Sequence, residues 1–501
     1  MSRGRRVAIL GGGVAGLSTA LDLLRPPAAD GGRAPAADGG RAPADPVADV
    51  QVFEAAPRAG GNLRTEREAG FTVEWGPNGF LDSEPATLDL IERLQAGDDL
   101  QRSADAARRR FLLLDGRLQE IPLSPVAFLR TGLLSPAAKL RVGRELVVAR
   151  RTDLGRAAED PATDETVHAF GTRRLGPAFA DVFLDPMVKG ITGGDARRLS
   201  LAASFPRMLE LEQRYGSLFR ALFALGRERR RQRRRARDAG AAGATAEPGR
   251  DGSPSPGPAG VLHGFHGGIE VLAERLAAAL GDRLLLGAPV EQLERAAAGW
   301  VVHAAGRAHG PFAAVVDATP AHAAARHQAD PEVRRLLAQI PYAAMVVIAL
   351  AFRRESVRHP LDGFGMLVPG RERRRLLGVL WSSSIFPGRA PDGQVLLRCM
   401  AGGPASIEMD DGALVELAMD ELRNLYGLEE PPARSWIFRH PRAIAQYEVG
   451  HLARLRALDQ ALRAQPGLLF TGSSYRGVAI NHCVREAALT ARRVAEQIAS
   501  D

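Results

Sequence analysis

The chain has 501 residues, of which 45% are hydrophobic, so it is long enough for two or more domains with large cores. Its formal net charge is +8, and its two cysteines exclude a disulfide framework and a cysteine-rich metal site. No run of about 18 uncharged apolar residues occurs, so we expect no membrane-spanning helix. The charged N-terminus passes directly into a strand, which is not typical of a cleavable signal. We therefore expect a cytoplasmic protein.

A glycine-rich turn follows the first apolar strand, at 6–10, and leads into a helix at 17–24. The turn consists of Gly11, Gly12, Gly13, Val14, Ala15 and Gly16. In this G-x-G-x-x-G pattern, the first glycine permits a tight turn and the second lets the backbone approach a pyrophosphate. The third lets the helix pack closely on the strand, and the helix dipole favours the negative phosphates. The pattern predicts dinucleotide binding.

The acidic residue that should follow the second strand is displaced by an insertion. Such a residue binds the ribose and ordinarily lies about 20 residues beyond the glycines. Here Glu54, at the end of the apolar run 50–54, lies farther along because the octapeptide PAADGGRA occurs twice, at 27–34 and 35–42. The segment is rich in Ala, Gly and Pro and has no apolar periodicity. We predict a flexible surface loop at 26–46 and a ribose contact at Glu54.

Glycine-rich loops and helical patterns follow. A Gly pair precedes Asn62, and a strand at 71–75 leads into the turn Gly76, Pro77, Asn78 and Gly79. From Pro85 to about Leu225 the pattern is mainly helical. The basic run 227–237 then leads into a Pro/Gly-rich stretch, so we predict a disordered insertion at 226–260. No aromatic residues interleave these arginines, which argues against nucleic acid as a partner.

The later elements predict a discontinuous domain. A helix is predicted at 270–280, a strand at 467–472 and a final helix at 481–498. Further strands are predicted at 283–286, 289–293, 300–303, 313–317, 344–352, 363–368, 378–382 and 395–400. We predict an α/β fold in which 1–89, 261–320 and 461–501 form one discontinuous Rossmann-like dinucleotide-binding domain, an order that flavin oxidoreductases often have. The segment 321–460 would form a mixed α+β substrate-binding domain, and 90–225 an inserted, membrane-facing helical region.

Several motifs along the chain point to one family. They are 11–16 with Glu54, 60–61, 74–79, 110–112, 190–195, 265–268, 363–365, 445–451 and 472–481. The most specific are Q-Y-x-V-G-H at 446–451 and G-x-S-Y-x-G-V at 472–478. Together they resemble the oxygen-dependent protoporphyrinogen oxidases of the flavin-containing amine oxidase superfamily, and the resemblance covers nearly the whole chain.

The resemblance implies non-covalent binding of FAD. Glu54 and Ala55 would meet the adenosine ribose, and the backbone of Val290 would meet the adenine. The residues implied to lie along the flavin are Asn62, Gly76, Pro77, Asn78, Gly79, Ser473, Val478, Ala479 and Ile480. At the start of the last helix, the helix dipole would stabilise the negative charge that the reduced flavin gathers near its pyrimidine side.

The resemblance also implies the substrate and the reaction. Protoporphyrinogen IX would be oxidised to protoporphyrin IX in three hydride transfers to the flavin, which O₂ reoxidises to give hydrogen peroxide. A porphyrinogen is a large apolar macrocycle with propionates, so apolar walls and an arginine suit it. The matching positions are Arg110, Asn78, Gly194, Phe364, Leu367 and Met400. No side chain is assigned as acid or base, because the flavin accepts the electrons.

Three alternatives stay open: a coproporphyrinogen III oxidase, an amine or carotenoid desaturase on the same scaffold, and a non-catalytic tetrapyrrole-binding flavoprotein. A more basic pocket would favour coproporphyrinogen, which carries four carboxylates and not two. His482 stands where the family commonly has an acid, and Thr192 where it often has an aromatic residue. The histidines show no ligand spacing, so we predict no metal site.

The helical region suggests a partner surface. Apolar turns at 125–130 and 132–134 lie near Arg130 and Lys139. This combination predicts peripheral contact with the cytoplasmic face of the cell membrane. The alternatives are internal packing and a homodimer interface.

Overall fold

A five-stranded parallel sheet joins distant parts of the chain. The computed structural model describes residues 5–26, 47–238 and 260–500. The strands, in spatial order, are Leu284–Leu285, Asp49–Phe53, Arg6–Leu10, Ala314–Asp317 and Leu468–Phe470. The N-terminal segment, a middle segment and the C-terminal segment therefore contribute to one sheet, as in a discontinuous dinucleotide-binding fold.

Two different layers cover this sheet. One face packs against helices, and the core between them includes Ile9, Leu17, Leu276 and Val494, all buried. These helices are Val14–Leu24, Pro85–Arg93, Glu270–Leu280 and Ile480–Ser500. The other face packs against an antiparallel sheet of Val290–Ala296, Gly299–Ala304 and Arg307–Phe312. Helices Ala321–His327, Pro331–Ala338 and His451–Ala461 complete this second layer.

A seven-stranded mixed sheet forms the second large unit, and the 16-residue helix Asp411–Tyr426 packs on one of its faces. Its strands, in spatial order, are Arg434–Ala445, Tyr342–Arg353, Gln394–Gly402, Leu376–Trp381, Gly365–Leu367, Phe111–Leu114 and Arg117–Glu120. The last two form a hairpin, so the prediction of a mainly helical segment from Pro85 to Leu225 is wrong here. The run Phe111–Leu114 is buried on both faces, and its strand pairs in parallel with Met366 and Leu367.

Short helices make up most of the remaining inserted segment. Several begin with a serine whose hydroxyl accepts a backbone N–H, as Ser124 does from Ala127 and Ser135 from Ala138, with proline next in the chain. The helices are Pro125–Arg130, Pro136–Gly143, Val167–Leu175, Pro177–Phe179, Asp185–Thr192, Leu201–Ser204, Pro206–Tyr215 and Leu218–Asp238, with a π-helical turn at Ala180–Leu184.

The predicted disordered insertion at 226–260 is partly wrong, because helix Leu218–Asp238 extends through 226–238. Arginine is a good helix former, so a basic run can continue a helix. Residues 239–259 and most of the predicted 26–46 loop lie outside the described residues. None of the helices that the structure describes is long and apolar enough to cross a membrane.

The remaining elements are short. Strands Thr65–Glu68 and Phe71–Glu74 form a hairpin, and Phe80–Leu81, Leu262–Phe265 and Leu100–Arg102 form a small sheet. The other α-helices in the described residues are Ser382–Ile385 and Pro404–Glu408.

Candidate active site

Four strands of the parallel sheet end at the same edge. The residues that follow these strands belong to a predicted motif or to a loop that contacts such a motif. These residues are Gly11, Glu54, Ala318 and Gly472. A Cβ at Gly11 would lie 3.2 Å from the Ala318 carbonyl, and one at Gly472 would lie 3.5 Å from Ala15 Cβ. The turns from both ends of the chain therefore meet where parallel sheets bind nucleotides.

The glycine turn leaves the space that a pyrophosphate needs. Gly13 is the N-cap of helix Val14–Leu24, and no side chain caps that helix end. A Cβ at Gly13 would meet no described atom within 4 Å, whereas one at Gly16 would overlap the Gly11 carbonyl oxygen. Gly13 thus lines an open cradle and Gly16 makes a close contact, as the pattern predicts. Uncapped N–H groups beside open space fit a bound dinucleotide.

Glu54 lies against this turn in spite of the long insertion. Its carboxylate accepts N–H groups from Gly12 at 2.6 Å and from Ala56 at 2.8 Å. The Glu54 carbonyl accepts the N–H of Ala288 at 2.8 Å, two residues before Val290. Glu54, Ala55 and Val290 therefore lie at one end of the cradle, and Gly60 contacts the turn through its N–H to Gly12 O at 2.7 Å.

The turn at Gly76–Gly79 contacts the mixed sheet through a buried arginine. Arg398 donates to Gly76 O at 2.6 Å and approaches Asn78 Oδ1 at 3.5 Å. Burial lowers the pKa of the Arg398 guanidinium to about 10. Two buried donors here, Asn78 Nδ2 and Arg398 Nε, have no hydrogen-bond partner among the described residues. Unsatisfied buried donors are rare, so these suit the polar edge of a ligand.

Two predicted substrate positions, Leu367 and Met400, lie on the face of the mixed sheet that carries Arg398. Met400 is two residues beyond Arg398 in the same strand and so points to the same side. Strand pairing sets Leu367 beside Gly378 and Gly378 beside Met400. A Cβ at Gly378 would lie 3.3 Å from Leu367 Cδ2 and 3.4 Å from Met400 Cε. Glycine at 378 therefore leaves a shallow apolar depression between these two side chains.

Helix Asp185–Thr192 covers this depression. A Cβ at Gly190 would overlap the Leu367 side chain, so the glycine allows the helix to approach the sheet. The helix ends in a turn in which Thr192 Oγ1 accepts the Gly194 N–H at 3.1 Å. Thr192 is buried and donates to Val188 O at 2.9 Å, so its hydroxyl caps the turn. Gly194 thus lies at the end of the covering helix.

Arg110 and Phe364 lie together at another edge of the sheet. The Arg110 guanidinium is 5.1 Å from the Phe364 ring centroid and has no hydrogen-bond or ion-pair partner among the described residues. Burial lowers the pKa of Arg110, but an arginine keeps its charge in proteins. Its neighbour Arg109 instead pairs with Glu120 and Asp362. A half-buried guanidinium without an ion-pair partner favours an anionic ligand, most simply a carboxylate.

The last helix begins at Ile480, and the loop before it contains Ser473, Val478 and Ala479. Ser473 and Ala479 are exposed on the described surface, and Val478 is half-buried. Burial and then the nearby Arg485 lower the pKa of His482, so this side chain is neutral near pH 7. His482 therefore adds no unfavourable positive charge to the helix N-terminus.

Sequence reasoning missed three buried charges around this site. Glu74 and Arg389 form an ion pair at 2.9 Å, each about 2% exposed. Glu74 also accepts the Thr65 hydroxyl at 2.6 Å and the Ile269 N–H at 3.0 Å. Arg398 completes the set. The available signal was the position of Arg398 inside the apolar run 395–401, where a charged residue points to a buried partner.

No group of His, Cys, Asp or Glu side chains that could hold a metal ion occurs in the described part of the chain.

Comparisons with known proteins agree with this geometry. A family model described as flavin containing amine oxidoreductase matches residues 14–498. The coproporphyrinogen III oxidase of Propionibacterium freudenreichii is 33% identical over 97% of this chain and 90% of its own length. The protoporphyrinogen oxidase of Bos taurus is 31% identical, with 98% of each chain covered.

Solved structures share the fold. One from Exiguobacterium sp. 255-15, named as a candidate protoporphyrinogen oxidase, gives a TM-score of 0.75 at 23% identity over 99% of each chain. A cyclohexylamine oxidase from Brevibacterium oxydans gives 0.64 at 18% identity, covering 99% of this chain and 100% of its own.

Proposed function

Because the chain belongs to the flavin-containing amine oxidoreductase family, we propose that it is an FAD-dependent oxidase of a propionate-bearing porphyrinogen, with protoporphyrinogen IX as the first candidate. The observation that carries the proposal is the arrangement of Arg110. A half-buried guanidinium without an acceptor lies beside Phe364, and the apolar depression of Leu367 and Met400 lies on the same sheet. This pairing of one cation with apolar walls matches a macrocycle that carries carboxylates.

Each group in the site has a binding or positioning role in this proposal. Bound non-covalently, FAD would accept hydride from the porphyrinogen and pass the electrons to O₂, giving hydrogen peroxide. The uncapped helix at Gly13 would hold the pyrophosphate, and Glu54 the ribose. Asn78, held near Arg398, would meet the flavin edge together with Ser473, Val478 and Ile480. Arg110 would orient the macrocycle through a propionate, and helix Asp185–Thr192 would exclude water from the depression.

Coproporphyrinogen III is the second candidate. It is favoured by the coproporphyrinogen III oxidase relative at 33% identity, compared with 31% for the Bos taurus protoporphyrinogen oxidase. The two substrates differ in the number of carboxylates, and Arg110 supplies one anchor.

Oxygen uptake by the flavin-loaded protein should be measured with both porphyrinogens, with peroxide detection. Uptake with neither substrate would refute the proposal, and uptake only with an amine would make the chain an amine oxidase.

Arg110→Ala should weaken substrate use by about 10- to 150-fold, because a charge-assisted hydrogen bond contributes roughly 1.5–3 kcal/mol. The loss should appear mainly in KM, since the arginine holds a substituent and not the reacting carbon. Arg109→Ala is the matched control, because Arg109 is 41% exposed and pairs with Glu120 and Asp362. Steady-state measurements of kcat and KM for both variants test this prediction. Equal effects at 109 and 110 would contradict a propionate contact at Arg110.

We also propose peripheral membrane contact through the inserted helices. Leu129, Leu140 and Val147 are 67%, 73% and 76% exposed. Arg130 is adjacent to Leu129 in the chain, and Arg144 lies between Leu140 and Val147. Exposed apolar side chains next to arginines suit an anionic bilayer surface. Phe128, in contrast, packs against Phe179 and Phe183 and is a poorer probe.

Leu129→Asp should reduce the fraction of protein that floats with anionic liposomes at low salt, because the aspartate adds a charge where an apolar side chain would enter the bilayer. Leu489→Asp, at a 38% exposed leucine of the last helix, is the control. If the unmodified protein stays in the soluble fraction and sediments as a dimer that Leu129→Asp dissociates, the surface is a homodimer interface.

A further inference from the structure

The Q-Y-x-V-G-H motif, Gln446–His451, carries no role in the site described so far. Three of its side chains are buried: Gln446 is 6%, Tyr447 4% and His451 0% exposed, whereas Val449 is 38% exposed. It follows strand Arg434–Ala445 and enters helix His451–Ala461, so it joins the mixed sheet to the layer behind the parallel sheet. Its polar groups are directed at two other motifs.

Tyr447 holds the loop that precedes the last helix. Its hydroxyl donates to Ser473 O at 2.7 Å and accepts the Gly477 N–H at 2.8 Å. Both partners belong to the G-x-S-Y-x-G-V segment. His451 stacks on Tyr447, with ring centroids 4.2 Å apart, and its Nε2 lies 2.8 Å from Tyr475 O. One hydroxyl therefore fixes both ends of the five-residue loop 473–477, which is followed by Val478, Ala479 and Ile480.

Gln446 holds the loop at the end of helix Asp185–Thr192. Its amide Nε2 donates to Thr192 O at 2.9 Å and to Ile444 O at 3.0 Å. A Cβ at Gly194 would overlap Gln446 Oε1, so Gly194 lies directly against this side chain. The backbone strengthens the connection, because Tyr447 O accepts the Ser200 N–H at 2.8 Å.

We propose that Gln446 and Tyr447 are paired positioning residues: Tyr447 fixes the loop 473–477 beside the flavin, and Gln446 fixes the loop 192–194 that faces the substrate. The inference rests on the proposed function for the assignment of the two loops. Successive side chains of an extended segment point in opposite directions, so one dipeptide can brace both loops. The position of the loop 192–194 relative to the loop 473–477 is then set by this dipeptide and not by the long stretch of chain that separates the two loops.

The chain offers a matched control for Tyr447. Tyr475 is 2% exposed and packs on Phe470, but its hydroxyl has no hydrogen-bond partner among the described residues. Tyr447→Phe and Tyr475→Phe each remove one buried hydroxyl from the same region and keep the ring. Only the first removes hydrogen bonds to the loop 473–477.

The experiment measures FAD affinity by titrating the apoprotein and following flavin fluorescence. Tyr447→Phe should weaken FAD binding by about 5- to 50-fold, since two hydrogen bonds to the loop are lost. Tyr475→Phe should leave the FAD affinity within about twofold. Gln446→Ala should also leave it unchanged, and should raise KM for the porphyrinogen by about 5- to 50-fold. Circular dichroism and thermal unfolding of each variant report on folding.

Three results would overturn the inference. They are unchanged FAD affinity in Tyr447→Phe, equal losses in the two tyrosine variants, and a Gln446→Ala variant that loses FAD as strongly as Tyr447→Phe. The FAD titration needs no porphyrinogen. An unmodified protein that binds FAD but oxidises neither porphyrinogen would therefore refute the proposed function while the Tyr447 prediction is judged separately.

Discussion

Gly13→Val should yield a folded protein without flavin. A Cβ at position 13 meets no described atom within 4 Å, so the apoprotein has room for the larger side chain. That open space is where the pyrophosphate would lie against the N-terminus of helix Val14–Leu24, and a branched side chain would fill it. The purified variant should lack flavin absorbance and should not regain it when incubated with FAD.

Two other glycines make this result interpretable. A Cβ at Gly97 also meets open space but lies far from the turn in the chain, so Gly97→Val should fold and keep its flavin. A Cβ at Gly16 overlaps the Gly11 carbonyl, so Gly16→Val should destabilise the fold itself. A Gly13→Val protein that retains stoichiometric FAD would show that the dinucleotide does not lie on this turn.

Arg174→Ala should lower the free energy of unfolding by about 3–5 kcal/mol, because it leaves the buried Glu145 carboxylate without its ion-pair partner. Arg174, Glu145 and Glu212 are all 0% exposed. The guanidinium also donates to Val148 O at 3.0 Å and to Gly216 O at 2.9 Å. It thereby ties together the segments around 145–148, 174 and 212–216.

Denaturant unfolding with a fluorescence readout measures this loss. The matched control is Arg207→Ala, which breaks an ion pair whose side chains are 63% and 61% exposed and should change stability by less than about 1 kcal/mol. A loss below about 1 kcal/mol in Arg174→Ala would mean that the carboxylates are stabilised without this arginine.

The sequence predicts the parallel sheet well because its signals are local. A few consecutive residues are enough to recognise the glycine turn, Glu54 and the strand before Gly472. Parallel pairing of their strands then places these features at one edge of the sheet. Removing the octapeptide repeat from the spacing was enough to identify Glu54, which contacts Gly12 in the structure.

The prediction failed where pairing between distant segments decides the structure. Phe111–Leu114 lies in a segment with many helix signals, and its strand state depends on pairing with Met366 and Leu367. The buried charges show the same limit, since Glu74 and Arg389 are far apart in the chain and have ordinary neighbours there. The two roles of Gln446 and Tyr447 depend on loops at 192–194 and 473–477, which no local pattern connects.

Anaerobic mixing with a porphyrinogen tests the central proposal most directly. The FAD-loaded protein should lose its absorbance near 450 nm as the flavin is reduced, with porphyrin appearing at the same rate, and admission of O₂ should restore the oxidised spectrum. Arg110→Ala should show the same change only at higher porphyrinogen concentration. A flavin that stays oxidised with protoporphyrinogen IX and with coproporphyrinogen III, under conditions in which dithionite reduces it, would contradict the assignment of this chain as a porphyrinogen oxidase.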